Sequence, residues 1–344
     1  MKANRRFARF LRVAPTLALA SAASAAAVPA SAETLTAQDI LEQFNDVFTT
    51  TFTSGHDVQG RSVAGTITGG AQFYTQGYGG DAPPGSDFQA VNAVDTTAGC
   101  NGCKINNGGS LNTTGTNAAS FIFNGGGSAK QNEPAFVMSD FTVPLNALES
   151  TLSGLAANNV NPTDTNQYYF DANHVYNDGI AVFSVSASTL QTAATIGVDV
   201  GSASTVVINV TGSSGFGFTP QANFTYGGSV SSQKTVAQHV IWNFEDAGSL
   251  SMDRDWSGAF LAGRAAVSNS VSIDGFLYAY SFNGSGELHD WPFAGVLPPT
   301  GVPEPSTWAM LIAGLAGAVF VGRRRPRDPD RVRPNALPGT LRLT

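Results

Sequence analysis

Between residues 33 and 301 the chain alternates short apolar stretches of strand length with clusters of Gly, Asn and Ser. Ile180-Ala181-Val182-Phe183-Ser184-Val185, Thr205-Val206-Val207-Ile208-Asn209-Val210 and His239-Val240-Ile241-Trp242-Asn243-Phe244 are such stretches. β-Branched residues within the runs and turn formers between them predict an all-β domain. Two segments break the alternation. Ile40, Leu41, Phe44 and Val47 share one helical face and predict a helix over 36–47, with Thr36 and Asp39 as its cap. Phe141, Leu145, Leu148, Leu152 and Leu155 do the same over 139–155, with Pro144 in the first turn. Both helices should pack one face against the β core.

A repeat emerges when the glycines are aligned. Val58-Gln59-Gly60-Arg61-Ser62-Val63-Ala64, Trp256-Ser257-Gly258-Ala259-Phe260-Leu261-Ala262 and Ile273-Asp274-Gly275-Phe276-Leu277-Tyr278-Ala279 share an apolar residue, a Gly two positions on, then an apolar residue followed by Ala. The last two copies lie seventeen residues apart, about one coil of a β-solenoid. The expectation is an all-β, right-handed β-helix-like solenoid with one or two helices alongside; a seven-strand sandwich is the alternative. The Gly would turn the corner and the Ala would fit where the interior narrows. The Gly/Asn/Thr-rich stretch from Gly99 to Lys130 reads as irregular rungs with an insertion.

The two ends are of another kind. Lys2, Arg5, Arg6, Arg9 and Arg12 precede an Ala-rich apolar run from Val13 to Val28, and Ala30-Ser31-Ala32 supplies a signal-peptidase pattern. Residues 1–32 are therefore expected to be a signal peptide, cleaved after Ala32 and used in general secretion. At the far end Val302-Pro303-Glu304-Pro305 cannot continue a helix and reads as an extended recognition element. An apolar run from Trp308 to Val321 follows, then Arg323-Arg324-Arg325, which resist translocation. As a helix, Ser306 to Gly322 would span about 25 Å, short of a ~30 Å bilayer core, which suits a temporary transmembrane anchor. This arrangement over 302–325 closely resembles the PEP-CTERM sorting signal of Gram-negative bacteria that make exopolysaccharide. The resemblance implies cleavage by an exosortase near the Pro-Glu-Pro motif. It also implies a passage through the inner membrane to the cell surface, the outer membrane or the extracellular matrix. Residues 326–344, rich in Pro and Arg, read as a disordered basic tail.

Charge changes once the ends are set aside. The whole chain carries −7, but between Glu33 and Pro303 only Arg61, Lys104, Lys130, Lys234, Arg254 and Arg264 face 22 acidic residues, a net charge near −16. Such a surface repels nucleic acid and anionic lipid. The two cysteines, Cys100 and Cys103, sit in a Gly/Asn-rich stretch without a second ligand pair, so neither a redox centre nor a zinc site is indicated. A local disulfide suits an oxidising compartment.

Candidate chemistry is sparse. Glu287 and His289, two apart on a strand, form a conceivable acid–base pair for a polysaccharide-active enzyme. The plainer expectation is that His289 hydrogen-bonds the last rung while Trp291 and Phe293 close its apolar end. Asp253 and Asp255, and Asp171 with Asn173, Asn177 and Asp178, are oxygen clusters of a kind that binds Ca²⁺, yet neither follows an EF-hand or RTX spacing. Solvated turns explain them as well, and no cofactor or metal is required.

Asp57-Val58-Gln59-Gly60-Arg61 followed by Ala64-Gly65 resembles the opening motif of the choice-of-anchor A family. Val240-Ile241-Trp242-Asn243-Phe244, and Gly284 and Gly286-Glu287-Leu288-His289-Asp290-Trp291-Pro292-Phe293, resemble that family's C-terminal signature. Phe141 to Leu155 resembles its central helix. The family's proline after Asn-Phe is Glu245 here, and the cysteine insertion is additional. The resemblance implies a β-helical adhesive surface domain over 33–301, without catalytic residues, whose partners would be exopolysaccharide or a surface glycan or protein. The C-terminal block is also similar to β-helical ice-binding domains. Ice binding needs a regular Thr-rich face; Thr66 and Thr68 begin one, and regular Thr-x-Thr rungs do not follow them. The leading expectation is therefore a non-enzymatic matrix adhesin, with ice binding as the alternative.

Overall fold

Stacked parallel strands wind into a three-sided coil, seen in a computed structural model that describes residues 34–75, 85–117, 119–164, 166–173, 179–227 and 232–299. The expected signal cleavage site (Ala30, Ala32), sorting motif (Val302, Pro303, Glu304, Pro305), arginine stop (Arg323, Arg324, Arg325) and transmembrane helix lie outside these residues. Among the described residues no helix is long and apolar enough to cross a membrane.

The first face shows how the chain is wound. In spatial order it contains strands Ile180–Ser186, Thr205–Thr211, Val240–Asn243, Ala259–Asn269, Leu277–Gly284, Asp46–Ser54, Ser62–Gly69, Val91–Ile105, Leu111–Thr113 and Ala129–Gln131. The chain therefore starts in the middle and stacks rungs outward to Gln131. It then restarts at the opposite end and stacks inward until Leu277–Gly284 docks beside Asp46–Ser54. The solenoid is continuous in space and split in sequence. This answers the sandwich alternative, because face-to-face sheets with antiparallel hairpins are not what the strands form.

Among the described residues four helices accompany the coil: α1 (Ala37–Gln43), α2 (Ser139–Ser153), α3 (Ala187–Thr192) and α4 (Gln233–His239). α2 lies against the strands beginning at Thr205, Val240 and Ala259 and touches α1. It covers the first face because that face is apolar on both sides. Val182, Val207, Ile241, Leu261, Tyr278 and Val63 point outward into a core shared with Phe141, Leu145, Leu148 and Leu152, while Phe183, Ile208, Trp242, Phe260 and Ala262 point inward. Each fully buried large side chain contributes roughly 1.5–3 kcal/mol. Asn243 Nδ2 donates to the carbonyl of Glu149 at 3.0 Å, and Asn209 Nδ2 to that of Leu152 at 2.7 Å. These bonds fasten the last turn of α2 to the first face.

Both helices differ from expectation in extent. α1 stops at Gln43, since Phe44 is already extended and the Asn45 N–H bonds the carbonyl of Arg61 on the next rung. Val47 therefore belongs to a strand, where it pairs with Val63 and Tyr278. The run of β-branched residues that follows favours that outcome. α2 ends at Ser153, and Pro144 stands inside it rather than in its first turn.

The aligned repeat has a clear meaning. Trp256 pairs with Ile273, Ile273 with Leu288, and Leu288 with Val58, so the first apolar residue of each copy lies in one inward row of the third face. Gly258 and Gly275 then turn the corner to the first face with φ of +139° and +119°, a region closed to most side chains. The Gly99–Lys130 stretch does form rungs. Cys100 and Cys103 are joined by a disulfide and fully buried in the long bent strand Val91–Ile105.

At the end that begins with Ile180, Asn158 shields the exposed strand edge. Its side chain accepts from the Val182 N–H at 2.7 Å and donates to the Ile180 carbonyl at 3.0 Å. A covered edge of this kind prevents strand-to-strand association.

Candidate binding face

The second face is formed where the long strands bend. Leu250, Val267, Phe282, Phe52 and Ile67 pair in succession and point into the core. Phe52 and Phe282 stack with centroids 5.5 Å apart. The residues flanking each of these face out: Ser249 and Ser251, Ala266 and Ser268, Ser281 and Asn283, Thr51 and Thr53, Thr66 and Thr68. Alternation along a strand imposes this arrangement. The result is two rows of small side chains, none larger than Asn. Thr53 and Thr68 are directly paired, with hydroxyl oxygens 2.6 Å apart. Charges border this face at Asp95, at Arg264 with Asp246 3.4 Å away, and at Asp253 beside Ser251.

The Thr-x-Thr rung sought after Thr68 is present before it. Thr51 pairs with Thr66 and Thr53 with Thr68, and the rungs beyond come from Ser281 and Asn283, far along the chain. A search running forward from Thr66 could not find them. The usable signal was the matching spacing of Thr51-Phe52-Thr53 and Thr66-Ile67-Thr68, fifteen residues apart.

The third face is charged and interlocked. His289 Nδ1 lies 2.6 Å from Asp274 Oδ1, and His289 Nε2 lies 2.9 Å from Glu287 Oε2. Asp274 also accepts from Ser257 Oγ at 3.2 Å and from Gln233. Burial opposes charge on both partners, but their mutual hydrogen bond wins: His289 is held above its ordinary pKa and Asp274 below its own. Burial, and then the Asp274 charge, push Asp255 up to about 6. The Glu287–His289 pair is thus real, but both imidazole nitrogens are engaged by carboxylates, and the trio acts as a clamp. Nor does His289 close an end of the coil. Its strand lies between Ile273–Asp274 and Asp57–Val58, at the seam joining the two halves, and Phe293 packs under the helices.

Asp253 accepts hydrogen bonds from Ser251 and Ser270, and Asp171 from Asn173, as solvated turns do. Asn177 and Asp178 lie outside the described residues. Among the described residues no three His, Cys, Asp or Glu side chains converge to hold a metal ion.

A cleft of about 270 Å³ opens between α2 and the corner of the first and second faces, lined by Thr142, Asn146, Glu149, Glu245, Arg264 and Tyr278 among others. Glu149 Oε1 accepts from the Gly263 N–H at 2.7 Å, and burial raises its pKa to about 7. Tyr278 donates to Asn146 Oδ1 at 2.8 Å.

Residues 37–290 match the family described as "Putative Ice-binding-like adhesive domain". The chain belongs to that family. The ice-binding-like adhesive domain is followed by a PEP-CTERM protein-sorting motif matched over residues 301–325, which marks the chain for export and exosortase processing. The ice-binding-like adhesive family groups binding domains, so the chain is not an enzyme, and the clamp around His289 agrees with that. No curated protein matches the sequence. Among solved structures, an ice binding protein from an Antarctic Biological Consortium is similar at 12% identity and a TM-score of 0.34, covering 76% of this chain and 92% of that one. An ice-binding protein from the Antarctic ascomycete Antarctomyces psychrotrophicus is similar at 10% identity and a TM-score of 0.28, covering 76% and 98%. Both are too distant for residues to be carried across.

Proposed function

We propose that the exported domain is an ice-binding adhesin that docks through its second face. The observation that carries this is the double row of small side chains centred on Thr51, Thr53, Thr66 and Thr68, on strands locked in register. Ice offers no charge and no pocket; it offers an ordered, extended surface of water. A protein holds it with many weak contacts in parallel, at positions that repeat. Stacked strands repeat every ~4.8 Å and same-side residues about every 6.6 Å along a strand. The first face is covered by helices and the third is charged, so neither suits an uncharged solid.

This replaces matrix adhesion as the leading reading. Adhesion to a neutral glycan of exopolysaccharide stays as the second, supported by the polar cleft beside α2, which has the size and hydrogen-bonding groups for one sugar unit. In either case the order is a signal peptide over 1–32, the adhesive domain over 33–301, the sorting segment over 302–325 and a tail over 326–344. The destination is the surface or matrix of a Gram-negative bacterium.

Freezing-point hysteresis and adsorption to a growing ice surface test the proposal. The protein should shape ice crystals, and Thr53→Tyr should abolish this while leaving the fold intact. No adsorption by the unaltered protein would overturn it and move the search to polysaccharide.

A further inference from the structure

The chain leaves the domain along the edge opposite the second face. After Phe293, whose N–H bonds the carbonyl of Leu41 at 3.1 Å, Ala294 bonds that of Gln238 at 2.8 Å. Gln38 on α1 then grips the segment twice, donating to the Gly295 carbonyl at 3.0 Å and accepting from the Leu297 N–H at 3.2 Å. The Thr205 hydroxyl accepts from the Val296 N–H at 2.9 Å and donates to the Val296 carbonyl at 2.8 Å. Thr205 is the first residue of a first-face strand, and Gln238 lies at the end of α4 just before another. These partners lie where the third face turns into the first. In a three-sided coil that corner is the one the second face does not share. The N-terminal end of the domain, at Thr36 and α1, lies at the same corner.

The sorting motif begins two residues after Pro299. Processing at the sorting motif, Pro303 to Pro305, leaves at most six residues beyond Pro299, a reach of at most about 22 Å. So short a link leaves little freedom to roll the coil over. We propose that the anchored protein is held by this edge, with Ala294 and Val296 toward the cell, and presents the second face outward to an extended solid partner. This rests on the reading of the second face as the binding face, and adds that the domain works while tethered, joining a cell to that solid.

Thiol accessibility tests the orientation without reference to ice. Full-length chains bearing Ala266→Cys or Val296→Cys, both at exposed positions with Val296 58% exposed, are displayed on exosortase-positive cells. They are reacted with a bulky maleimide–polyethylene glycol, and again after detergent extraction. The second-face thiol should react at the same rate in both settings. The edge thiol should react roughly tenfold slower on cells. Ser249→Cys and Ala294→Cys serve as a second pair should either first variant fold poorly, and a urea unfolding midpoint equal to that of the parent certifies the fold of each. Equal reactivity of both thiols on cells, or protection of the second-face thiol, overturns the inference. If the labelling pattern holds but the cells do not adhere to ice, the functional reading fails and the orientation stands.

Discussion

Asn45 Nδ2 donates to the carbonyl of His289 at 3.1 Å, tying the start of the first strand to the end of the last. The same amide donates to the Gly275 carbonyl at 3.1 Å and accepts from the Gly60 N–H at 3.1 Å. One buried side chain thus stitches three rungs across the seam where the two halves of the solenoid meet. Asn45→Ala removes three buried hydrogen bonds, although the His289 carbonyl keeps the Gly275 N–H at 3.0 Å, a loss of about 2–4 kcal/mol. Urea unfolding should show it as a lower midpoint. A change within about 0.5 kcal/mol would mean that the seam is held by packing alone.

The seam also depends on pH through His289 and Asp274. A raised histidine pKa stabilises the fold fully below the unfolded value, near 6.5, and this is lost as pH rises through the folded value. A lowered aspartate pKa stabilises above its unfolded value and is lost as pH falls through the folded one. The clamp is therefore strongest between Asp274 ionisation and His289 deprotonation. His289→Gln should flatten the alkaline decline in thermal stability. An unchanged pH profile in that variant would remove the clamp from the account.

Glu149 adds a second loss of stability with rising pH, at lower pH than that of His289. Burial raises its pKa to about 7, so the fold favours the protonated acid, and stability falls as pH rises from about 4.5 towards 7. The shift corresponds to about 3 kcal/mol at pH 8. Glu149→Gln keeps an acceptor for the Gly263 N–H and removes the charge. It should raise the melting temperature at pH 8 and leave it nearly unchanged at pH 4. Destabilisation at pH 8 would show that the carboxylate is paired after all, most simply with Arg264.

What the sequence disclosed follows from where its information lies. The helices and the rungs around Gly258 and Gly275 are local patterns, visible in spacing and glycine placement. The winding was not visible, because the docking of Leu277–Gly284 beside Asp46–Ser54 joins residues some 230 apart and leaves no periodic trace. The outward rows of the second face were hidden for the same reason: Thr51, Ser281 and Ala266 become neighbours only once that seam closes. His289, read as the end of a coil, lies near its middle. The C-terminal signature containing it is largely seam: Gly286 bonds Asn269, His289 bonds Asp274, and the Asp290 N–H bonds Gln59.

Position along the coil gives the sharpest prediction for the second face. Ser281 stands near the middle of the outward rows, beside the seam, whereas Ser249 stands one rung from the end formed by Phe216–Phe218. A tyrosine in the middle holds the surface away from rungs on both sides, while one near the end leaves most of the contacts in place. Because parallel weak contacts multiply, Ser281→Tyr should lower ice adsorption by roughly tenfold or more, and Ser249→Tyr by about twofold to threefold. Neither alters a buried residue, so unfolding midpoints should stay within about 0.5 kcal/mol of the parent. Lys104→Tyr, on the third face, should leave adsorption unchanged. Equal losses from Ser281→Tyr and Lys104→Tyr would show that adsorption does not run through the second face, whereas a graded series would locate the centre of the contact.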